Sequence, residues 1–234
     1  SVNNAIYSNP GSSQFVIKLN AALTTNMAST VIGNGSSQIN ISPAAFLVDI
    51  CGNIYISGWG ANILQATPLS GMPVTANAFQ STTTGFDFYL MVLQQNFSGL
   101  LYASYLGGPI AHEHVDGGTS RFDKNGVVYQ SVCGGCGGQS DFPTSAGAWS
   151  NTNNSNNCNN LVFKFDFQLI PSAQFTSSNL QGCQDLTVTF QNNSTQGDAY
   201  LWDFGNGDTT SLIFNPTVFF QSSRSNPPSD FCLM

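Results

Sequence analysis

His112-Glu113-His114, with Asp116 close behind, is a stretch whose residue types could do chemistry. Two histidines at i and i+2 point the same way along a strand, and a carboxylate could complete a zinc tetrahedron. The nearby turn residues suggest a loop instead, where the same side chains are simply solvated or hydrogen-bonded. Cys133-Gly134-Gly135-Cys136 has the C-x-x-C spacing shared by zinc knuckles, redox pairs and local disulfides. A redox pair should open a helix that lowers its thiol pKa, and Gly137-Gly138-Gln139-Ser140 opens none. A C-x-x-C zinc site wants a second C-x-x-C or histidines paired three to five residues apart, and the sequence offers neither. Structural disulfides are therefore expected among Cys51, Cys133, Cys136, Cys158, Cys183 and Cys232, an even set of the kind used by extracellular proteins. Cys133 and Cys136 could pair with each other, or with Cys51 and Cys158; Cys183 and Cys232 could bridge the C-terminal segment.

The remaining candidates are fewer. A glycosidase needs two carboxylates across a cleft, and Glu113 is the sole glutamate, with no aspartate in a persuasive setting beside it. No G-x-S-x-G elbow, phosphate loop or dinucleotide fingerprint occurs, so no enzyme is expected. Asp203, Asn206 and Asp208 bring oxygens around one turn, as Ca²⁺ would take them, or they only satisfy the turn backbone. No cofactor and no metal are expected, with Ca²⁺ at Asp203, Asn206 and Asp208 as the alternative. Trp59 and Trp149 would stack on sugar rings if exposed, and otherwise pack inside the fold.

The chain of 234 residues carries 5 basic and 12 acidic side chains, so charged residues make up 7% of it and the net charge is −7. Its surface must therefore be covered by Ser, Thr, Asn, Gln and Gly, a neutral hydrogen-bonding coat that suits secreted proteins. Five scattered cations cannot form a basic stripe, which argues against nucleic acid. No apolar run approaches the roughly 18 residues of a membrane span, so no membrane insertion is expected. With 41% hydrophobic residues and 18 phenylalanines there is ample material for a core. The start has neither an initiator Met nor a charged-then-apolar leader, as in a processed product or a piece of something longer.

The elements that must hold these residues are repeated. Phe15-Val16-Ile17-Lys18-Leu19 returns as Tyr89-Leu90-Met91-Val92-Leu93 and again as Leu161-Val162-Phe163-Lys164-Phe165, at offsets of 74 and 72. Asp49-Ile50-Cys51-Gly52-Asn53-Ile54-Tyr55 is echoed 74 residues later by Asp123-Lys124-Asn125-Gly126-Val127-Val128-Tyr129. Met72 to Phe79 is echoed by Phe142 to Trp149. Co-linear echoes at offsets of 70 to 74 residues mark a repeat architecture. Each run is short, apolar and bounded by turn residues, and the Gly/Asn pairs at Gly52-Asn53 and Asn125-Gly126 are hairpin signals. Gly, Pro and Asn interrupt every helical window. Four short strands per unit of about 70 residues, joined by long loops, describe propeller blades better than a sandwich.

These units resemble the bacterial β-propeller repeats called SBBP repeats, through Phe15 to Asn20, Asp49 to Gly58, Tyr102 to Gly108 and Asp141 to Trp149. The stretch Glu113 to Asp123, followed by Cys133-Gly134-Gly135-Cys136, resembles large cell-surface proteins of Bacteroidota that end in a gliding-motility-associated C-terminal sorting domain. The resemblance covers roughly residues 1–168. It implies an extracellular, type IX-secreted location and a structural or adhesive role.

Beyond Pro171 the pattern changes. Leu186-Thr187-Val188-Thr189-Phe190 alternates as a half-buried strand should. Trp202-Asp203-Phe204-Gly205-Asn206-Gly207-Asp208 resembles the W-D-F-G-D-G signature of the PKD domain, an immunoglobulin-like sandwich. Trp202 and Phe204 would fill its core, while Gly205 and Gly207 make a tight turn. After Pro216 the chain departs from the usual final strand, which leaves that end atypical or truncated.

The expectation is thus an all-β chain. Residues 1–168 form a partial β-propeller of two-plus blades (units about 15–88 and 89–160, a third starting at 161), and residues 169–234 form a PKD-like sandwich. The expected function is that of a non-enzymatic extracellular spacer, adhesin or fibre-forming scaffold, one piece of a larger secreted protein. Its partners would be further copies of itself or other surface proteins. The alternative is a polysaccharide-binding module serving a secreted enzyme.

Overall fold

Short apolar runs punctuated by Gly, Asn and Asp fold into strands throughout. The computed structural model describes residues 2–60, 68–115, 120–169, 173–178, 186–194, 197 and 199–220. They are all-β apart from a single short 3-10 turn, Gln95–Phe97. All sheets are small and antiparallel, and among the described residues none closes into a barrel or a propeller. The chain divides into two compact units, Ser1–Phe167 and Gln168–Met234.

In the first unit, β1 (Gln14–Leu19) pairs with β2 (Asn26–Ile32). Next comes a four-stranded meander of β3 (Ile41–Val48), β4 (Ile54–Gly60), β5 (Phe88–Leu93) and β6 (Leu100–Leu106). A three-stranded sheet follows: β7 (Ser120–Phe122), β8 (Val128–Gly134) and β9 (Asn159–Phe165). The strands recur in step with the sequence: β4 starts at Ile54 and β8 at Val128, 74 residues on. Counted from Phe15, each repeat takes its strands from two sheets, because β1 and β2 correspond to β5 and β6.

The repeated turns share their bonds. In the β3–β4 turn, Asp49 Oδ1 accepts from the amides of Cys51 and Asn53, both at 2.8 Å. In the β7–β8 turn, Asp123 Oδ1 accepts from Asn125 at 2.9 Å and Val127 at 3.0 Å. Gly52 and Gly126 occupy the same left-handed position, at φ +82° and +77°.

The meander is covered on both faces, which explains why β5 reads as an unbroken apolar run, Phe-Tyr-Leu-Met-Val-Leu, buried throughout. Its Ile54, Ile56, Tyr89, Met91 and Leu93 pack against Ala28 and Ile32 of β2, with Val16 of β1 at the edge of that core. The other face meets the third sheet through aromatic rings. Phe88 packs edge-to-face on Phe163 at 5.1 Å, and Tyr55 on Phe167 at 5.5 Å. Such pairs contribute roughly 0.5–1.5 kcal/mol beyond the area they bury. A buried polar contact, Ser57 Oγ donating to Gln130 Oε1 at 2.6 Å, fixes the register between these two layers.

In the second unit, β10 (Phe175–Ser177), β11 (Leu186–Asn192) and β14 (Thr217–Phe220) form one sheet, in the order β10-β11-β14. β12 (Trp202–Asp203) and β13 (Thr209–Thr210) form a hairpin. Trp202, Phe204, Phe175 and Phe190 make one aromatic cluster; Trp202 and Phe204 stack nearly parallel at 6.2 Å. The atypical end beyond Phe220 lies outside the described residues.

Candidate functional site

Three of the chemistry-bearing residues of the first unit, His114, Cys136 and Cys158, converge at one end of β8. Its register with β9 sets Cys133 opposite Asn160 and Gly134 opposite Asn159. Cys136, just past β8, and Cys158, just before β9, meet there and form a disulfide. On the opposite edge of β8, His114 forms an antiparallel bridge to Cys133, each amide donating to the other's carbonyl at 3.0 Å. His114 Nδ1 lies 3.7 Å from Cys136 Sγ, and the potential ligand atoms of His114, Cys136 and Cys158 all fall within 4.8 Å of one another. The His114 ring is held from behind by Trp59 of β4, 6.0 Å between centroids.

This geometry revises the local readings. Of the partners open to Cys136, the fold selects Cys158 rather than Cys133 or Cys51. Cys133 is still part of the β8 ladder when the chain turns through Gly134-Gly135, and the turn delivers Cys136 to the start of β9. Cys51 is an exposed free thiol at the β3–β4 turn, where the equivalent turn has Asn125. The two histidines do not share a face: His112 stacks on Phe86 at 3.9 Å, while His114 faces the cysteines. Asp116, Cys183 and Cys232 lie outside the described residues.

Next to this cluster is a buried acid that spacing alone did not single out as such. Glu113 is 1% exposed, and the backbone of Gly108 and Gly135 approaches its carboxylate without closing a well-formed hydrogen bond on either oxygen. Burial pushes its pKa up to about 8, and the carboxylates of Asp87 and Asp141 push in the same direction. The backbone at Gly108 and Gly135 offsets the rise only in part. Asp87 is itself fully buried and accepts from Thr84. Asp141 Oδ2 accepts from the amides of Ile110 at 2.7 Å and Ala111 at 3.0 Å, while its Oδ1 is buried without a partner. The one legible signal was Gly107-Gly108: a Cβ on Gly108 would sit 2.6 Å from the Asp141 carboxylate.

The tryptophans part ways. Trp59 is half-buried and committed to His114. Trp149, 104% exposed, borders a groove of about 930 Å³ lined by hydroxyl and amide side chains such as Ser140, Thr144, Asn153 and Asn160. In the second unit, Asp203 Oδ1 accepts from the Gly205 amide at 3.0 Å, Asn206 Oδ1 accepts from the Asp208 amide at 2.9 Å, and Asp208 Oδ2 accepts from Asn206 Nδ2 at 2.9 Å. One oxygen of each residue considered for calcium is thus engaged in holding the exposed turn.

No family model matches the chain, and no curated protein matches it.

Proposed function

We infer that this chain is a non-enzymatic structural or adhesive protein of a bacterial cell surface, assembled through its open sheet faces. In this reading the first unit is a run of SBBP-type propeller blades and the second a PKD-like sandwich, as in surface proteins of Bacteroidota. The observation that carries it is the contrast between two equivalent strands. In β5, Tyr89, Met91 and Leu93 face the preceding sheet and are buried. The corresponding residues of β1, Phe15, Ile17 and Leu19, are 67%, 42% and 39% exposed. An apolar stripe of that kind on an edge strand is a surface built to be covered. The Cys136–Cys158 disulfide and the scarcity of charge support an extracellular setting.

Light scattering tests this reading. The wild-type chain should self-associate, and Ile17→Lys, which sets a charge in the stripe, should dissociate it. A wild-type chain that stays a stable, monodisperse monomer would sink the assembly claim.

The Trp149 groove favours a second reading, polysaccharide binding, since amides, hydroxyls and an exposed indole suit sugar rings. The repeat weakens it. Phe79 holds the equivalent position and packs edge-to-face on Phe165 of the next sheet, at 6.1 Å. Trp149 then awaits a further blade rather than a glycan. Retention on insoluble polysaccharide that is lost in Trp149→Ala would reverse this preference.

A further inference from the structure

The cluster at the end of β8 has a second use, independent of the surface-protein reading. We propose that, with its disulfide open, it is a tetrahedral Zn²⁺ site with His114 Nδ1, Cys136 Sγ and Cys158 Sγ as ligands and Cys133 Sγ as the fourth.

The geometry comes first. Zn–S and Zn–N bonds of about 2.3 and 2.05 Å at a tetrahedral angle set the S···N edge at about 3.6 Å. The distance from His114 Nδ1 to Cys136 Sγ is 3.7 Å, and the three ligand atoms share an envelope of 4.8 Å. Cys133 Sγ is not within that envelope while the disulfide is closed; the ladder is what places it on that side. Cys133 is directly across the antiparallel bridge from His114, and directly opposed residues project from the same face. The sequence lacked a second ligand pair of recognisable spacing. The fold supplies one from His114 and Cys158, brought in from either edge of β8.

The local backbone suits the role. Cys133-Gly134-Gly135-Cys136-Gly137 turns with Gly135 and Gly137 at φ +63° and +83°, and the Cys136 amide is tied to the His112 carbonyl at 3.3 Å. Two such anchored thiols on one tight turn are the half-site of a zinc knuckle. Trp59 packs against the His114 ring, 6.0 Å between centroids, on the same side of the fold. Thiolates with one imidazole select a soft or borderline ion such as Zn²⁺ over Ca²⁺ or Mg²⁺.

The chemistry balances. A low-molecular-weight thiol reductant gives two electrons and two protons to the Cys136–Cys158 bond and leaves as its own disulfide. Zn²⁺ then displaces the thiol protons to solvent as each cysteine binds as thiolate.

The test uses the full chain, reduced, freed of reductant under anaerobic conditions, and titrated with Co²⁺. One equivalent should give the thiolate-to-cobalt absorption and intense visible bands of a tetrahedral site, and Zn²⁺ should displace it. The chain with its disulfide intact should give none. Cys158→Ser and His114→Ala should each lose more than about 100-fold in affinity, beyond the roughly 10–100-fold that outer-shell partners cost. Cys133→Ser should alter the spectrum, whereas Cys51→Ser should leave it unchanged. Independently of any variant, Zn²⁺ should protect Cys133, Cys136 and Cys158 of the reduced wild-type chain from alkylation and leave Cys51 reactive. The proposal is overturned if the reduced chain gives no tetrahedral spectrum, if equal binding occurs with the disulfide closed, or if protection falls on Cys51. An unchanged spectrum in Cys133→Ser removes Cys133 from the ligand set.

Discussion

β1 and β5 are one strand written twice, 74 residues apart, yet they live in different surroundings. β5 has a hydrogen-bonded neighbour on each edge and a packed sheet on each face. β1 has β2 on one edge, and its outward stripe is bare. The difference shows what a repeat sequence specifies. It fixes the local strand and the alternation of its faces, while burial depends on which neighbours are present. A two-stranded sheet such as β1–β2 would be marginal alone. It holds here because Ala28 and Ile32 are sealed against the meander.

The sharpest break of this comparison is a matched pair of substitutions at one repeat position. Met91→Ala in β5 empties a site that is 1% exposed, at a cost of about 2–5 kcal/mol. Ile17→Ala in β1, its counterpart, should cost under about 1 kcal/mol in the dissociated chain, where little burial is lost. Denaturant unfolding of both variants measures the gap. Equal costs would mean that the stripe is already covered within the single chain, and the assembly argument would fall.

Glu113 extends the contrast to electrostatics, because the junction that hides it excludes water as the open β1 stripe does not. Its folded pKa of about 8 lies above the ordinary value of 4.5. Below about 4.5 both states hold the proton and stability is complete. Between 4.5 and about 8 the unfolded chain releases it while the native chain keeps it, so stability falls as pH rises and levels off above 8. The groups bearing on it are Asp87 and Asp141, with His112 and His114 adjacent in sequence. Glu113→Gln removes this component. The difference in stability between variant and wild type should grow by up to about 1.4 kcal/mol per pH unit across that window, in the disulfide-closed chain. A difference that stays flat with pH would mean that Glu113 is ionised in the native state.

Closing the disulfide acts in the same third sheet. It spans a separation of 22 residues, and the loop-entropy relation gives about 3 kcal/mol. Reduction without metal should lower stability by that order, while Cys51→Ser leaves it unchanged. An equal loss from Cys51→Ser would show a different pairing in solution.

Much of this was legible in advance. The all-β class, the strand-turn punctuation and the period are written in local residue types, so Asp49 and Asp123 announce their turns. Cys158 was among the partners the sequence allowed, but choosing it needed the β8–β9 register, which places Cys136 against Cys158 across a long connection. The ligand set was hidden for the same reason: His114 is 22 residues from Cys136 and becomes its neighbour only through the bridge to Cys133. Glu113 read as a loop residue because nothing in His-Glu-His says that two further acids are folded around it. Each of these rests on a long-range contact that local sequence does not place.

The smallest predicted effect separates the two copies of the turn. Gly52 and Gly126 share a left-handed conformation, so an alanine at either carries a backbone strain of about 1–2 kcal/mol. Their surroundings then diverge. A Cβ on Gly52 would lie 2.9 Å from Cγ of Gln95, a flexible side chain that can swing away. A Cβ on Gly126 would lie 2.8 Å from the ring of Tyr55, which is 1% exposed and wedged between Phe122 and Phe167. That ring cannot move without disturbing the aromatic layer, so Gly126→Ala should cost about 1–3 kcal/mol more than Gly52→Ala. Thermal unfolding of the two variants reads the difference directly. If they melt together, the Tyr55 layer is looser than its packing implies, and the covered side of the first unit is less unlike its open side than the strand comparison requires.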